Sequence, residues 1–152
     1  MLNPIYFKES EINQMAETTP TTSQIESVVK DVLSVIERER EREIVSRRFG
    51  LYDRKETLEQ IGELLGITRE RVRQLEKVIL TRLRAQAEQG KLPHVNDTQE
   101  TFKTELTKLG GAARISDLSA QVTKENSKTD QSKVSFIASL CPELATVDEN
   151  DH

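Results

Sequence analysis

The residues from Thr57 to Leu83, TLEQIGELLGITRERVRQLEKVILTRL, leave this chain few folds to choose from. Leu58, Ile61 and Leu65 share one face of a short helix, and Thr57 and Gln60 stand at capping-box spacing at its start. Gly66 permits the positive φ of a tight turn, Ile67 plugs that turn, and Gly62 is small where two crossing helices must touch. A second helix, from about Arg69 to Ala87, buries Val72, Leu75, Ile79 and Leu83 at helical spacing. This frame predicts a helix-turn-helix. It drives Arg69, Glu70, Arg73, Gln74 and Lys77 together onto the outer face of the second helix, near its N-terminal end. In a docked helix-turn-helix that end meets base edges in the major groove.

The residue types suit the task. Arg bonds guanine O6 and N7 bidentately, Gln pairs with adenine N6 and N7, and Glu accepts from cytosine N4. A merely solvated helix face would favour Lys and Glu four apart, whereas Arg69 and Arg73 at that spacing repel one another. Phosphates or bases relieve that repulsion, and Glu70 and Glu76 offset part of it without DNA. The net charge of −4 argues against nucleic acid, but its distribution argues the other way. From Arg38 to Arg84 there are 13 Lys/Arg and 9 Asp/Glu, whereas the rest of the chain holds 9 basic and 17 acidic residues. A basic middle between acidic flanks fits DNA binding by the middle alone.

Around that segment the chain reads as helical throughout. Residues 1–23, with ETTPTTS, read as a flexible tail. Ile25, Val28, Val29, Val32, Leu33 and Ile36 form a helical stripe, and the charged run Glu37 to Glu43 carries the helix on through Ile44, Val45 and Phe49 to Gly50. Residues 24–88 thus form one domain, and 89–98, with Gly90 and Pro93, a linker. Residues 99–152 form a second module. Phe102, Leu106 and Leu109 make one stripe, Arg114 to Val122 a short helix capped by Ser116, and Ser132 to Leu144 another helix stopped near Pro142. Thr123 to Gln131 reads as a polar loop, and ATVDENDH as the start of a strand. The fold class expected is all-α. With 35% hydrophobic residues, 4% aromatics and no Trp, a sandwich or barrel is disfavoured.

Thr57 to Leu83 resembles region 4.2 of the bacterial sigma-70 family, carried by Thr57, Gln60-Ile61-Gly62, Ile67-Thr68, Val72, Arg73-Gln74, Glu76, Leu80 and Leu83. RRFGL, Arg47 to Leu51, resembles the family's element ahead of that motif, and the stripe from Ile25 to Ile36 with the charged run resembles region 4.1. The resemblance spans about Gln24 to Arg84. It implies binding of promoter DNA at a −35-type element and contact with the β flap of core RNA polymerase. Arg69, Glu70, Arg73 and Gln74 would read bases; Arg40, Arg48, Thr57, Leu58, Thr68, Arg71 and Lys77 would hold phosphates. Ile36 and Val45 would face either the flap or the core. Two features depart from the family. The run from Ile36 to Ile44 is one residue longer than the family's usual spacing, so Arg38 and Arg40 compete for one position, and Val78 is apolar where relatives often keep a basic residue. With no Trp and few aromatics, these residues are not expected to melt a promoter alone. They read as an atypical or partial sigma-like factor, cytoplasmic and nucleoid-associated. Two rivals stand beside that reading: a flap-binding modulator that does not read DNA, and a helix-turn-helix repressor independent of polymerase.

Residues 99–152 are loosely similar to the winged-helix-like, HARE-type helix-turn-helix of the polymerase delta subunit. Lys91 to His152 hold 7 basic and 10 acidic residues, which favours a protein contact or spacer over DNA reading. The single Cys141 lies on an apolar stripe and reads as core, and His94 and His152 have no partners at ligand spacing. Nothing indicates catalysis, a metal, a cofactor, a small-molecule substrate or a membrane span.

Overall fold

The computed structural model describes residues 22–146 and is helical throughout those residues. The elements are α1 (Thr22–Val35), α2 (Glu39–Phe49), α3 (Leu58–Leu65), α4 (Arg69–Glu88), α5 (Val95–Lys108), α6 (Ile115–Val122) and α7 (Lys128–Leu140). The expected tail at 1–23 falls almost wholly outside the described residues, as does most of the expected strand start. No described helix is long and apolar enough to cross a membrane.

The first departure from expectation is a break between α1 and α2. Ile36 N–H bonds Leu33 O at 3.1 Å, Arg38 is extended (φ −85°, ψ 122°), and a new helix starts at Glu39. Arg42 closes the joint by donating from Nη1 to Ile36 O at 2.7 Å. The cause is tertiary. Residues 37–43 are all charged, so a straight helix gains no burial across two turns, whereas the break turns Ile44 and Val45 fully inward. Glu39 and Glu41 then complement the positive end of the α2 dipole.

α2, α3 and α4 enclose a small core of Ile44, Ile61 and Val72, flanked by Leu58, Leu65, Ile67 and Leu75. The larger core joins both ends of the chain. Val29 and Val32 of α1, Val45, Ile79 and Leu83 are packed in one cluster with Phe102, Val122, Val134, Phe136 and Ile137. Phe49 meets Phe136 edge to face at a centroid distance of 5.0 Å. Ile36 and Val45 therefore belong to the chain's own core.

The stretch 89–98 is no free linker. Leu92 and Val95 are buried, α5 begins at Val95, and Thr98 Oγ1 donates to His94 O at 2.8 Å. α6 starts behind Arg114 with no side-chain cap, so Ser116 does not cap it. α7 starts at Lys128, four residues ahead of the expected Ser132. The reason is a capping box inside the expected loop: Ser127 Oγ accepts from Asp130 N–H at 3.1 Å, and Asp130 Oδ2 accepts from Ser127 N–H at 3.2 Å. α5 to α7 form a three-helix unit, and the β hairpin of a wing has no counterpart among the described residues.

Candidate nucleic-acid interface

The turn between α3 and α4 sets the aim of the exposed helix face. Thr57 caps α3 as its spacing predicts: its Oγ1 accepts from Gln60 N–H at 3.1 Å, and its own N–H donates to Gln60 Oε1 at 2.9 Å. Gly66 ends α3 at φ 70°, ψ 33°. Ile67 N–H bonds Gly62 O at 2.9 Å, and a Cβ added to Gly62 would lie 2.7 Å from Ile67 O. The two helices meet here as closely as backbone allows. Thr68 then caps α4, its Oγ1 accepting from Arg71 N–H at 3.1 Å. With Val72 and Ile79 fully buried, Arg69, Glu70, Arg71, Arg73, Gln74 and Lys77 are all exposed.

Three of the four expected base readers are joined. Arg73 grips Glu70 with a fork, Nη2 to Oε1 at 2.6 Å and Nε to Oε2 at 3.0 Å. The bond from Arg73 holds the Glu70 carboxyl below its ordinary range, against the effect of desolvation, with smaller help from the Gln74 side chain and the Arg69 charge. The same fork makes Arg73 harder to deprotonate. The fork uses Nε and one N–H of Nη2, and the remaining guanidinium N–H groups lie outside it, the kind of donor that can meet guanine O6 and N7.

The expected phosphate holders divide into two groups. Thr57, Thr68, Arg71 and Lys77 lie exposed at or near the N-terminal ends of α3 and α4, and Leu58, half-buried, presents the first backbone of α3. Arg40 and Arg48 also bond other parts of the chain. Arg40 Nη2 donates to Leu65 O at 2.9 Å, covering an orphan carbonyl at the end of α3. Arg48 pairs with Glu76 of α4 at 3.4 Å and donates to Glu56 O at 3.4 Å. Arg40 thus ties α2 to the end of α3, and Arg48 ties it to α4.

Of two further braces, one carries a weak sequence signal and the other carries none. Arg47 bonds Glu43, four residues back, at 3.0 Å and Glu56 at 2.8 Å, the first of which the i,i+4 rule could have found. Arg82 reaches Glu41 at 2.7 Å, 41 residues away, and no local rule finds it. The groove at the turn is lined by Glu59, Gly62, Glu63, Gly66, Ile67, Thr68 and Arg69. Its two carboxylates against one cation make it a poor anion site. Cys141 is buried and its thiol is pushed up to about 12 by desolvation, as suits an inert core residue. Among the described residues no His, Cys, Asp and Glu cluster could hold a metal.

Residues 38–85 match the family model for sigma-70, region 4. Over 57 residues the chain is 47% identical to the RNA polymerase sigma factor SigA of a Bacillus species, covering 37% of this chain and 15% of that protein. Over 47 residues it is 57% identical to the RNA polymerase principal sigma factor HrdC of Streptomyces coelicolor, covering 30% of this chain and 14% of that one. Over 65 residues it is 45% identical to the RNA polymerase sigma factor RpoD of Helicobacter pylori, covering 41% and 9%. The chain thus spans well under a fifth of the length of each of these relatives. No solved structure matches it.

Proposed function

With a sigma-70 region 4 segment at residues 38–85 as the premise, we propose that this chain binds promoter DNA at a −35-type element during bacterial transcription initiation, as an atypical sigma-like factor that also touches the flap of core RNA polymerase. Arg69, Glu70, Arg73 and Gln74 read bases. Thr57, Leu58, Thr68, Arg71 and Lys77 hold phosphates, and Arg40 and Arg48 position the reading helix and touch phosphate only through their remaining N–H groups. The place of action is the cytoplasm, on the nucleoid. The observation that carries this is the exposed Glu70–Arg73–Gln74 group on the first two turns of α4, aimed by the Gly62–Ile67 contact.

A selection from random duplexes, run with and without core polymerase, tests it. Enrichment of a −35-like element supports the reading, and enrichment of nothing in either arm sinks it. Arg73→Ala and Gln74→Ala should each lose roughly 1–3 kcal/mol of discrimination at one base position, about 5- to 150-fold. If both variants keep binding and output while flap binding persists, the chain is a polymerase-bound modulator that does not read DNA.

A further inference from the structure

A groove of about 670 Å³ lies where the loop after α2 meets the C-terminal unit. Its walls include Tyr52, Arg54 and Lys55 from the loop and Lys128, Ser132 and Ser135 from α7. Arg54, Lys55 and Lys128 are exposed and make no ion pair among the described residues. Elsewhere Arg47, Arg48, Arg73, Arg82, Lys103, Lys108 and Lys133 are paired to carboxylates. One carboxylate, Asp53, lines the groove against the three cations. Three unpaired cations beside hydroxyl donors are the surface chemistry of a phosphodiester backbone.

The groove also adjoins the reading head. Arg54 and Lys55 are four and three residues ahead of Leu58, the first residue of α3, so they lie within about 14 Å of it along the chain. α7 is locked beside this loop from both sides. Lys133 pairs with Glu26 of α1 at 3.0 Å and sits 5.8 Å from the centre of the Tyr52 ring. Lys128 is therefore held at a fixed place rather than on a loose module.

We propose that this groove is a second duplex-DNA contact, in which Arg54, Lys55 and Lys128 carry the phosphate backbone onward from the N-terminus of α3 onto the C-terminal unit. The acidic sum of that unit does not oppose this, because the charge at the groove itself is positive. The contact rests on the promoter-binding reading above. It adds affinity and footprint length without adding base preference, because it touches backbone alone.

The experiment measures the affinity of the whole chain for a selected −35-type duplex across a salt series, with a hydroxyl-radical footprint of each complex. The variants are Arg54→Ala/Lys55→Ala/Lys128→Ala and, as a charge-keeping control, Lys128→Arg. The triple variant should lower the slope of log affinity against log salt by roughly two to three, shorten the footprint at one end, and keep the same base preferences. Lys128→Arg should behave as wild type. All three side chains are exposed, and a thermal melt equal to wild type shows that the variant is folded. An unchanged slope and footprint in a folded triple variant overturns the groove contact while leaving the −35 reading intact. Failure of the wild-type chain to bind any duplex overturns both.

Discussion

At the scale of single residues, the arrangement turns on how Glu70 is used. Alone it would repel phosphate beside the groove. In the fork it fixes the rotamer of Arg73 before DNA arrives, so less side-chain freedom is lost on binding. The Glu70 carboxyl is depressed below 4.5, chiefly by the bond from Arg73. A depressed carboxyl keeps its pairing at all pH above the unfolded value and loses it only as pH falls through the lower folded one. The fork is thus intact at neutral pH, and Glu70 adds no pH dependence to DNA binding there. Carboxyl NMR should give Glu70 a midpoint under 4.5 in the wild type and a higher one in Arg73→Ala. An identical midpoint in both would mean that the fork does not form in solution.

At the scale of elements, two glycines do different work. Gly66 needs its left-handed φ but has open space around it, so Gly66→Ala meets only the backbone penalty, about 1–2 kcal/mol. Gly62 has ordinary helical backbone, but its added Cβ would press on a backbone carbonyl at 2.7 Å. Gly62→Ala must push α3 and α4 apart, at a cost of about 1–3 kcal/mol, and it re-aims Arg73 and Gln74. Denaturant melts and duplex binding together separate the two cases. Gly66→Ala should lose stability and keep base preference, whereas Gly62→Ala should lose both; equal loss of preference would show that the Gly62 contact does not set the aim. The same elements show what is legible from sequence. α3, its capping box, the turn and the faces of α4 are local patterns of glycine, cap and periodicity, and all can be read directly. The break at Ile36 cannot, because Glu and Arg favour helix and the decision lies in where Ile44 and Val45 find cover. Nor can the bonds of Arg40 and Arg48 within the chain, whose partners Leu65 and Glu76 lie 25 and 28 residues on, beyond any helical rule.

At the scale of the molecule, what reads as two domains and a linker shares one larger core that takes in both ends of the described chain. The sequence hides this because each helical stripe shows only that it must be covered, and not by what. α1 carries five buried apolar residues, from Ile25 to Leu33, and its cover includes α7. Phe136 joins the two halves: it is fully buried, belongs to the shared cluster and meets Phe49 of α2. Phe136→Ala should cost about 3–5 kcal/mol. If the core is one cooperative unit, that loss appears everywhere in it. Hydrogen exchange should then quicken at the amides of α1 and α4 as much as at those of α7, and a guanidinium melt should stay a single transition at a lower midpoint. Two independent domains would behave otherwise, with α1 and α4 keeping their protection while α5 to α7 open. In that case the fixed placement of Lys128 beside the loop ahead of α3 would be lost as well. The exchange pattern of this one variant therefore bears both on how the chain folds and on whether its C-terminal unit can hold DNA in register with α4.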